Sequence, residues 1–315
     1  MRSASKGQLA KSAFCMALVA IASLSLSGIA RGADKEDGDD PPAKAASSLP
    51  NIYLDMRTNY ATVPANTLSI GFGNSTLSTA IATLQMLSTS INSSALATLP
   101  TLSSPSSRSV GVDVPLTVDV TDRVSLYGGF TASASQSGAL DWSTFAITSW
   151  NVGFQADVYK QNGGSIPTIT LQSTITRSVP DSPLATTSFN SILEFDYALN
   201  KDETRGLLAG LQFTRVDVDS PLAKVNPNTI GYVGAYYQWD NDWKLTGRLG
   251  VQSFGGAQLL NLTPFQPFTQ PIVRLDLDRM DDNDNRLFGV TAQIAWAPKP
   301  AYTLTVRTPL YAVRN

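Results

Sequence analysis

The sequence lacks histidine, and its single cysteine, Cys15, lies close to the N-terminus. The absence of histidine excludes Ser-His-Asp triads, histidine-based zinc sites and histidine general bases. If Cys15 is removed with an export signal, the mature chain has no thiol for disulfides, metal binding or nucleophilic attack. Any catalysis would depend on carboxylates, lysine or tyrosine alone. We therefore expect no enzymatic activity, no metal ion and no cofactor.

Long apolar runs are also scarce, and the one near the N-terminus is typical of a signal peptide. Basic residues precede an apolar stretch over residues 12–30, which ends in the small residues Gly28 and Ala30. A retained membrane anchor is the alternative, because the stretch approaches spanning length. The serines that dilute the stretch favour cleavage. We predict that residues 1–30 are a signal peptide that is removed on export.

The next residues are acidic and rich in Pro, Ala and Ser, so we predict a disordered linker over 31–50 and a folded domain over 51–315. The whole chain carries a formal charge of −2 and has no basic cluster. Nucleic acid is therefore not an expected partner.

The stretch "VGVDVPLTVDV" (110–120) places Val or Leu at every even position. The alternation resumes in step after the turn residues 121–123, which predicts a β-hairpin. Similar compact polar turns recur about every 40 residues, separated by looser connections. With one strand in 51–73, we predict about twelve strands and an all-β chain. The other predicted strands are 109–120, 124–134, 145–159, 165–178, 187–199, 205–218, 229–239, 243–254, 271–279, 286–297 and 301–311.

Residues 75–95 differ from this pattern. Leu77, Ile81, Leu84, Leu87 and Ile91 recur at helical spacing in a Ser/Thr-rich background. The segment is either a short helix that caps or enters a cavity, or a loop with one transient helical turn, since Ser and Thr are indifferent helix formers.

The apolar strand faces could pack in a β-sandwich or contact lipid. Strands of this length exceed the 5–6 residues typical of soluble sheets, and tilted membrane strands need about 9–11. The alternate face is rich in Ser, Thr, Gln and Asn rather than Lys and Glu, as "TITLQSTIT" (168–176) shows. We therefore predict an antiparallel transmembrane β-barrel, with a secreted β-sandwich or β-solenoid as the alternative. A propeller would need four short strands per repeat.

Aromatic residues cluster at the predicted strand ends, as in the girdles of membrane barrels. The residues of this predicted girdle are Tyr159, Trp239, Trp243, Trp296 and Tyr302. Pro115 argues against a regular strand, because proline removes a ladder donor. A β-bulge at Pro115 would reconcile it with a barrel.

If the apolar faces contact lipid, the alternate face lines a lumen. Early strands then contribute acids, and late strands contribute most of the bases. These charges either set up a transverse field that selects small polar or zwitterionic solutes, or pair with one another and only hydrate the interior. The predicted lumen residues are Asp113, Asp119, Asp157, Glu194, Asp196, Lys244, Arg248, Arg274, Asp276, Asp278 and Arg307.

Residues 114–130 and 149–176 resemble outer-membrane β-barrels of the MetA-pathway phenol-degradation type, in a Thr-Asp-Arg turn and a Gly-rich hairpin leading into a Pro-Thr strand. The resemblance implies transport or passive uptake of small, often aromatic, compounds. The helix candidate at 75–95 does not match the pattern.

We therefore expect a bacterial outer-membrane barrel that acts as a channel or facilitator for small solutes, with outer-membrane lipid and the barrel assembly machinery as partners. The alternatives are a structural or adhesive barrel without a pore, or the secreted sandwich.

Overall fold

A computed structural model describes residues 50–65, 106–179, 185–221, 223–259, 262–281, 286–296 and 299–313. The predicted signal peptide, most of the predicted linker and the predicted helix at 75–95 lie outside the described residues. All regular structure in the described residues is β-strand, and none of them forms a helix that is long and apolar enough to cross a bilayer. The strands are β1 (Asn51–Val63), β2 (Ser107–Thr121), β3 (Val124–Ser137), β4 (Ala146–Tyr159), β5 (Thr168–Ser178), β6 (Thr186–Ala198), β7 (Arg205–Val218), β8 (Ala223–Val225), β9 (Asn228–Gln238), β10 (Trp243–Phe254), β11 (Ala257–Leu259), β12 (Leu262–Phe265), β13 (Phe268–Met280), β14 (Arg286–Trp296) and β15 (Pro300–Val313).

Twelve long strands form one closed antiparallel barrel, in which each strand pairs with the next long strand along the chain. The barrel closes between β1 and β15, with Ile52 opposite Val313 at one end of the ladder. Asn51 lies opposite Asp119, beside the turn that joins β2 to β3. Both termini of the barrel therefore lie on the side of the tight turns. The predicted twelve-stranded barrel is confirmed, and the alternative of a β-sandwich does not hold.

The barrel strands have 11 to 15 residues, because long alternating segments are bounded by clusters of turn residues. The turn between β9 and β10 shows how a cluster ends a strand. The Trp239 amide donates to the Trp243 carbonyl at 2.8 Å, and Asp242 has a positive φ of 62°. Asp tolerates this left-handed conformation better than most residues. The turn thereby holds β9 and β10 in a fixed register.

Three short strands were not predicted. β8, β11 and β12 form a separate three-stranded sheet from the connections β7–β9 and β10–β13. They have only three or four residues each, too few for a repeating pattern to stand out from a loop.

Neither ladder of β2 has a β-bulge at Pro115. Pairing of β2 with β1 stops at Leu116 and resumes in the same register at Asp113, so the missing donor interrupts the ladder without shifting it. On the other side, Pro115 lies opposite Gly129, where an added Cβ would meet the Pro115 Cα at 2.9 Å. The strand therefore accommodates proline by losing local pairing on one side and by close approach to glycine on the other.

The described barrel is polar inside and apolar outside. Buried side chains on the inner face are mostly Ser, Thr, Asn, Gln and Asp, with a small apolar cluster around Ile230 and Ile272. Large apolar side chains such as Leu249 and Val233, which are 58% and 60% exposed, project outwards from mid-strand. A water-soluble sheet would place these faces the other way round. The exterior is therefore suited to contact with lipid.

Candidate functional site

The lumen encloses a cavity of about 820 Å³. It extends from Ser125, near the tight turns, to Ser143 and Val179, in the connections at the opposite end. On β2 to β5 the lining is almost entirely hydroxyl and amide side chains, because these strands alternate apolar and small polar residues. We call this side of the lumen the polar wall, which includes Thr117, Tyr127, Thr131, Asn151, Gln155, Thr170 and Gln172.

Among the residues that the structure describes, five arginines line the opposite side of the cavity. They lie on β10, β13, β14, β15 and β1, which are consecutive around the barrel. Closure of the barrel therefore brings an arginine of the first strand next to those of the last strands. We call this set the arginine wall: Arg57, Arg248, Arg274, Arg286 and Arg307.

Arg248 is the central member of the arginine wall. Its guanidinium lies 3.2 Å from Glu194 on β6 and 2.8 Å from Asp276 on β13. Arg274 also contacts Asp276, at 2.8 Å, and Thr291 donates a hydrogen bond to the same carboxylate. Two arginines and a hydroxyl thus satisfy one buried carboxylate, and Arg248 links it to Glu194 on β6, which is three strands from β10 around the barrel.

Two further arginines pair with buried carboxylates. Arg286 lies 2.9 Å from Asp278, and Arg307 pairs with Asp55 across the β1–β15 ladder. The Asp55 and Asp278 side chains are each 8% exposed and do not line the cavity, whereas the guanidinium-bearing residues do. Paired carboxylates therefore lie beneath the arginine wall, and the cations face the cavity.

Arg57 is the least tightly held member of the arginine wall. Its nearest carboxylate is Asp113, its register partner on β2, at 3.9 Å. The Arg57 side chain is 41% exposed, and its buried Nε has no hydrogen-bond partner. Arg57 therefore has the most exposed and least tightly paired guanidinium of the arginine wall.

Asp113 lies where the two walls meet. Its carboxylate accepts hydrogen bonds from Thr131 Oγ1 at 3.2 Å and from Asn151 Nδ2 at 3.4 Å. Farther along the polar wall, Gln172 Nε2 donates to the Tyr127 hydroxyl at 3.0 Å. The polar wall thus presents an array of neutral donors and acceptors beside the Asp113 carboxylate.

Three inward tyrosines cross a glycine on the neighbouring strand. Tyr127 lies opposite Gly153, and its hydroxyl reaches Thr174 on the following strand at 2.6 Å. An added Cβ at Gly153 would overlap the Tyr127 ring. Glycine is therefore required at this position so that the ring can lie flat across β4.

The same arrangement recurs at two pairs on β7 and β9. Tyr232 lies opposite Gly210, and Tyr236 lies opposite Gly206, with the same overlap for an added Cβ at either glycine. The Tyr232 hydroxyl donates to Glu194 on β6 at 2.7 Å. These rings brace one strand against the strand two positions away and position the Glu194 carboxylate that Arg248 contacts.

Buried amides cover the inner face near the longer connections. Gln252 Nε2 donates to Asn228 Oδ1 at 2.8 Å, and Gln270 Nε2 donates to Gln252 Oε1 at 2.9 Å. Gln212 makes a similar bond to Asn190 at 3.0 Å. On β6 to β13 this level of the inner face is neutral, and the charges lie closer to the tight turns.

Some of the predicted lumen residues line the cavity, and others lie beneath the arginine wall or close to the tight turns. Those that line the cavity are Asp113, Glu194, Arg248, Arg274 and Arg307. Asp276 and Asp278 lie beneath the arginine wall. Asp119 and Asp157 accept hydrogen bonds from Ser125 and Thr170 close to the tight turns. There too, the Lys244 ammonium lies 4.3 Å from the centre of the Tyr236 ring, and Asp196 is a hydrogen-bond partner of Tyr236.

Sequence reasoning missed Arg57, Arg286 and Asp55. Arg286 begins the predicted strand 286–297, directly after the polar run "DDNDN", but it was not among the predicted lumen residues. Arg57 and Asp55 lie on β1, which was predicted only as one strand within 51–73 with no residues assigned to either face, whereas the described strand ends at Val63. The alternation of inward Asp55, Arg57 and Asn59 was the signal that could have identified them.

The predicted girdle residues lie at strand ends on the outer face. Trp239 and Trp243 flank the β9–β10 turn, and Tyr159 ends β4 beyond a register shift that sets it opposite Ile169. Trp296 ends β14, and Tyr302 lies near the start of β15 at the other end of the barrel. Trp239, Trp296 and Tyr302 are 40–50% exposed.

No family model matches this chain, and no curated protein sequence matches it. Among solved structures, an outer membrane channel from Pseudomonas putida F1 is similar over 87% of this chain and 100% of its own, with a TM-score of 0.52 and 11% identity. The translocator domain of the autotransporter NalP from Neisseria meningitidis gives a TM-score of 0.45 at 11% identity, covering 86% of this chain and 90% of its own. The transport unit of the autotransporter AIDA-I from Escherichia coli also gives 0.45, at 10% identity, covering 85% and 91%. The similarity to the channel shows a shared barrel fold.

The described residues do not include a group of three or more acidic residues that could hold a metal ion. What the site offers is a polar cavity with guanidiniums on one side and neutral hydrogen-bonding groups on the other. Such a surface can bind and orient a small polar molecule.

Proposed function

We propose that the protein is an outer-membrane channel or facilitator for small solutes and not an enzyme. The observation that supports this most strongly is the inversion of the barrel, with exposed leucines and valines outside and an arginine-walled cavity inside. The tight turns would face the periplasm and the longer connections the exterior, as in other outer-membrane barrels. Export would require removal of the N-terminal signal and insertion by the barrel assembly machinery.

The solutes that fit this lumen best are small molecules with an anionic group and a second polar or aromatic part. The guanidiniums of the arginine wall, above all Arg57, would bind the anionic group. The hydroxyls and amides of the polar wall would form hydrogen bonds with the polar or aromatic part of the solute. Zwitterions also fit, because Asp113 lies beside Arg57. The resemblance to phenol-degradation-type barrels supports aromatic compounds among the solutes.

Purified protein in planar bilayers tests this proposal. We expect small conductance steps that weaken when a permeating aromatic carboxylate such as benzoate is added. We expect liposomes that contain the protein to swell in glycine faster than in an uncharged sugar of larger size. A second protein without residues 75–104 should be measured in parallel, since a conductance that appears only after this deletion identifies the segment as an obstruction. Absence of conductance from both folded proteins would refute the proposal.

A barrel without a pore is the second candidate, and one observation favours it. The arginine wall is ion-paired at four of its five members at 3.2 Å or less. Such pairs brace the interior and need not select a solute. This candidate predicts no conductance, unchanged vesicle permeability and full barrel stability.

A further inference from the structure

The outer surface carries a groove on the strands β6 to β13. Its volume is about 850 Å³, and its lining is almost entirely apolar. Small residues form its floor: Ala235 lies directly opposite Gly247, with Ala209 diagonal to them on β7. Around the floor project Phe195, Leu207, Val233, Leu249 and Leu275. The groove is therefore a depression in the apolar belt.

Cations and aromatic rings lie between this groove and the tight turns. Along β10, Trp243 lies four residues from Gly247, which corresponds to about 13 Å of extended strand. Trp243 is opposite Arg279, whose guanidinium lies 6.0 Å from the centre of the Trp243 ring. The exposed Arg205 lies opposite Tyr237, one row nearer the groove.

Arg279 is held loosely enough to accept another partner. Its contact with Asp242 is 3.5 Å long, and both side chains are more than a third exposed. Exposed ion pairs of this kind contribute little to stability. Asp242 itself lies in the β9–β10 turn, beyond Arg205 and Arg279 relative to the groove. Arg205 and Arg279 therefore place two exposed guanidiniums at this edge of the apolar belt.

We propose that the groove and the two arginines form a binding site for one phospholipid of the leaflet at the tight-turn end. An acyl chain would lie on the floor formed by Ala209, Ala235 and Gly247. The phosphate would lie between Arg205 and Arg279, beside the indole rings that favour the headgroup level. A second copy of this chain is the less suitable occupant, because the same positive edge would then face itself in a two-fold contact.

The site can be tested on the full chain folded in detergent. The probe is phosphatidylglycerol, and native mass spectrometry measures the fraction of protein that retains one lipid. Gly247→Leu fills the groove, and its Cβ makes only an ordinary contact with Leu275 at 3.5 Å. Gly231→Leu is the matched control, because it lies outside the groove lining on neighbouring β9 and nothing lies within 4 Å of its added Cβ.

We expect wild-type protein and Gly231→Leu to retain the lipid equally. Gly247→Leu should bind at least fivefold more weakly, and Arg279→Gln or Arg205→Gln about fivefold more weakly. Arg215→Gln, on the outer face of β7 near the longer connections, should have no effect. Wild-type protein should retain diacylglycerol, which lacks the phosphate, more weakly than phosphatidylglycerol. The arginine variants should retain diacylglycerol as well as wild type does.

Equal retention of phosphatidylglycerol by wild type and all variants would refute the proposed lipid site. So would a wild-type dimer in light scattering that Gly247→Leu abolishes, since a second copy would then occupy the groove. The inference assumes that the barrel lies in a bilayer but does not require conduction. Gly247→Leu should keep the wild-type conductance because its side chain is outside the lumen. Lipid retention by a protein without any conductance would refute the channel and leave the lipid site intact.

Discussion

The ring of Tyr232 lies across Gly210, its register partner on the neighbouring strand, and only a residue without a side chain leaves room for it. Gly210→Ala should therefore displace the ring and release its hydroxyl from Glu194. We expect a loss of about 1–3 kcal/mol in the free energy of unfolding, the usual cost of overpacking. Urea titration of protein folded in vesicles measures it. Gly231→Ala, whose added Cβ is in open space, should be neutral, and equal effects would contradict this reading.

Removal of Arg248 should lower the stability of the barrel, because the Glu194 and Asp276 carboxylates each lose a cationic partner. Arg248→Met should lower the free energy of unfolding by about 3 kcal/mol, since breaking one side of a buried ion pair strands the other charge. The double variant Arg248→Met/Glu194→Met should recover most of this loss. Arg215→Met, which breaks an exposed pair with Asp217 at 2.9 Å, should cost less than about 1 kcal/mol. If Arg248→Met and Arg215→Met lower the free energy of unfolding by similar amounts, burial of the ion pair is not the cause of the loss.

Arg57 should influence which ions enter the cavity. Arg57→Gln removes the most exposed guanidinium of the arginine wall and leaves Asp113 nearby. We expect the reversal potential in a salt gradient to shift towards cation selectivity and the block by benzoate to weaken. Arg215→Gln removes the same charge from the outer face and should leave both measurements unchanged. A shift of equal size in both variants would mean that Arg57 acts only through overall charge.

The outer face should tolerate charge poorly at mid-strand. Leu249→Arg should lower the free energy of unfolding in vesicles by about 2–4 kcal/mol, the cost for arginine near the bilayer midplane of a barrel. Leu199→Arg, in the turn after β6, should cost at most about 1 kcal/mol, because it lies near the interface. If both substitutions cost the same, the apolar belt does not lie in the hydrocarbon core.

The strands and their order could be predicted from the sequence because their pattern is local. Alternation over 110–120 and the turn at 121–123 fix β2 and β3 without knowledge of any other strand. β8, β11 and β12 could not be predicted, because a three-residue strand is defined by its partner and not by its own pattern. The way in which the barrel accommodates Pro115 could not be predicted for a similar reason, since Gly129, which lies opposite Pro115, is on another strand.

The candidate site was only partly predictable, because its geometry depends on how the barrel closes. Along the chain, bases were expected on the late strands, and Arg57 on β1 did not fit that trend. Around the barrel, β1 lies beside β15, so Arg57 continues the arginine wall. Asp55 and Arg307, which are 252 positions apart in sequence, meet only through this closure. Strand patterns show which residues face inwards but not which of them pair.

Two neighbouring residues of the β2 strand provide the most direct test of the channel. Thr117 lines the cavity, and Leu116 is 45% exposed on the outer face. In a background with Cys15→Ser, each is changed to cysteine, and a charged thiosulfonate is added to the protein in planar bilayers. We predict that the reagent reduces the current through Thr117→Cys and leaves Leu116→Cys unmodified. Modification of Leu116→Cys with a silent Thr117→Cys would contradict the account, as would the absence of any current to block.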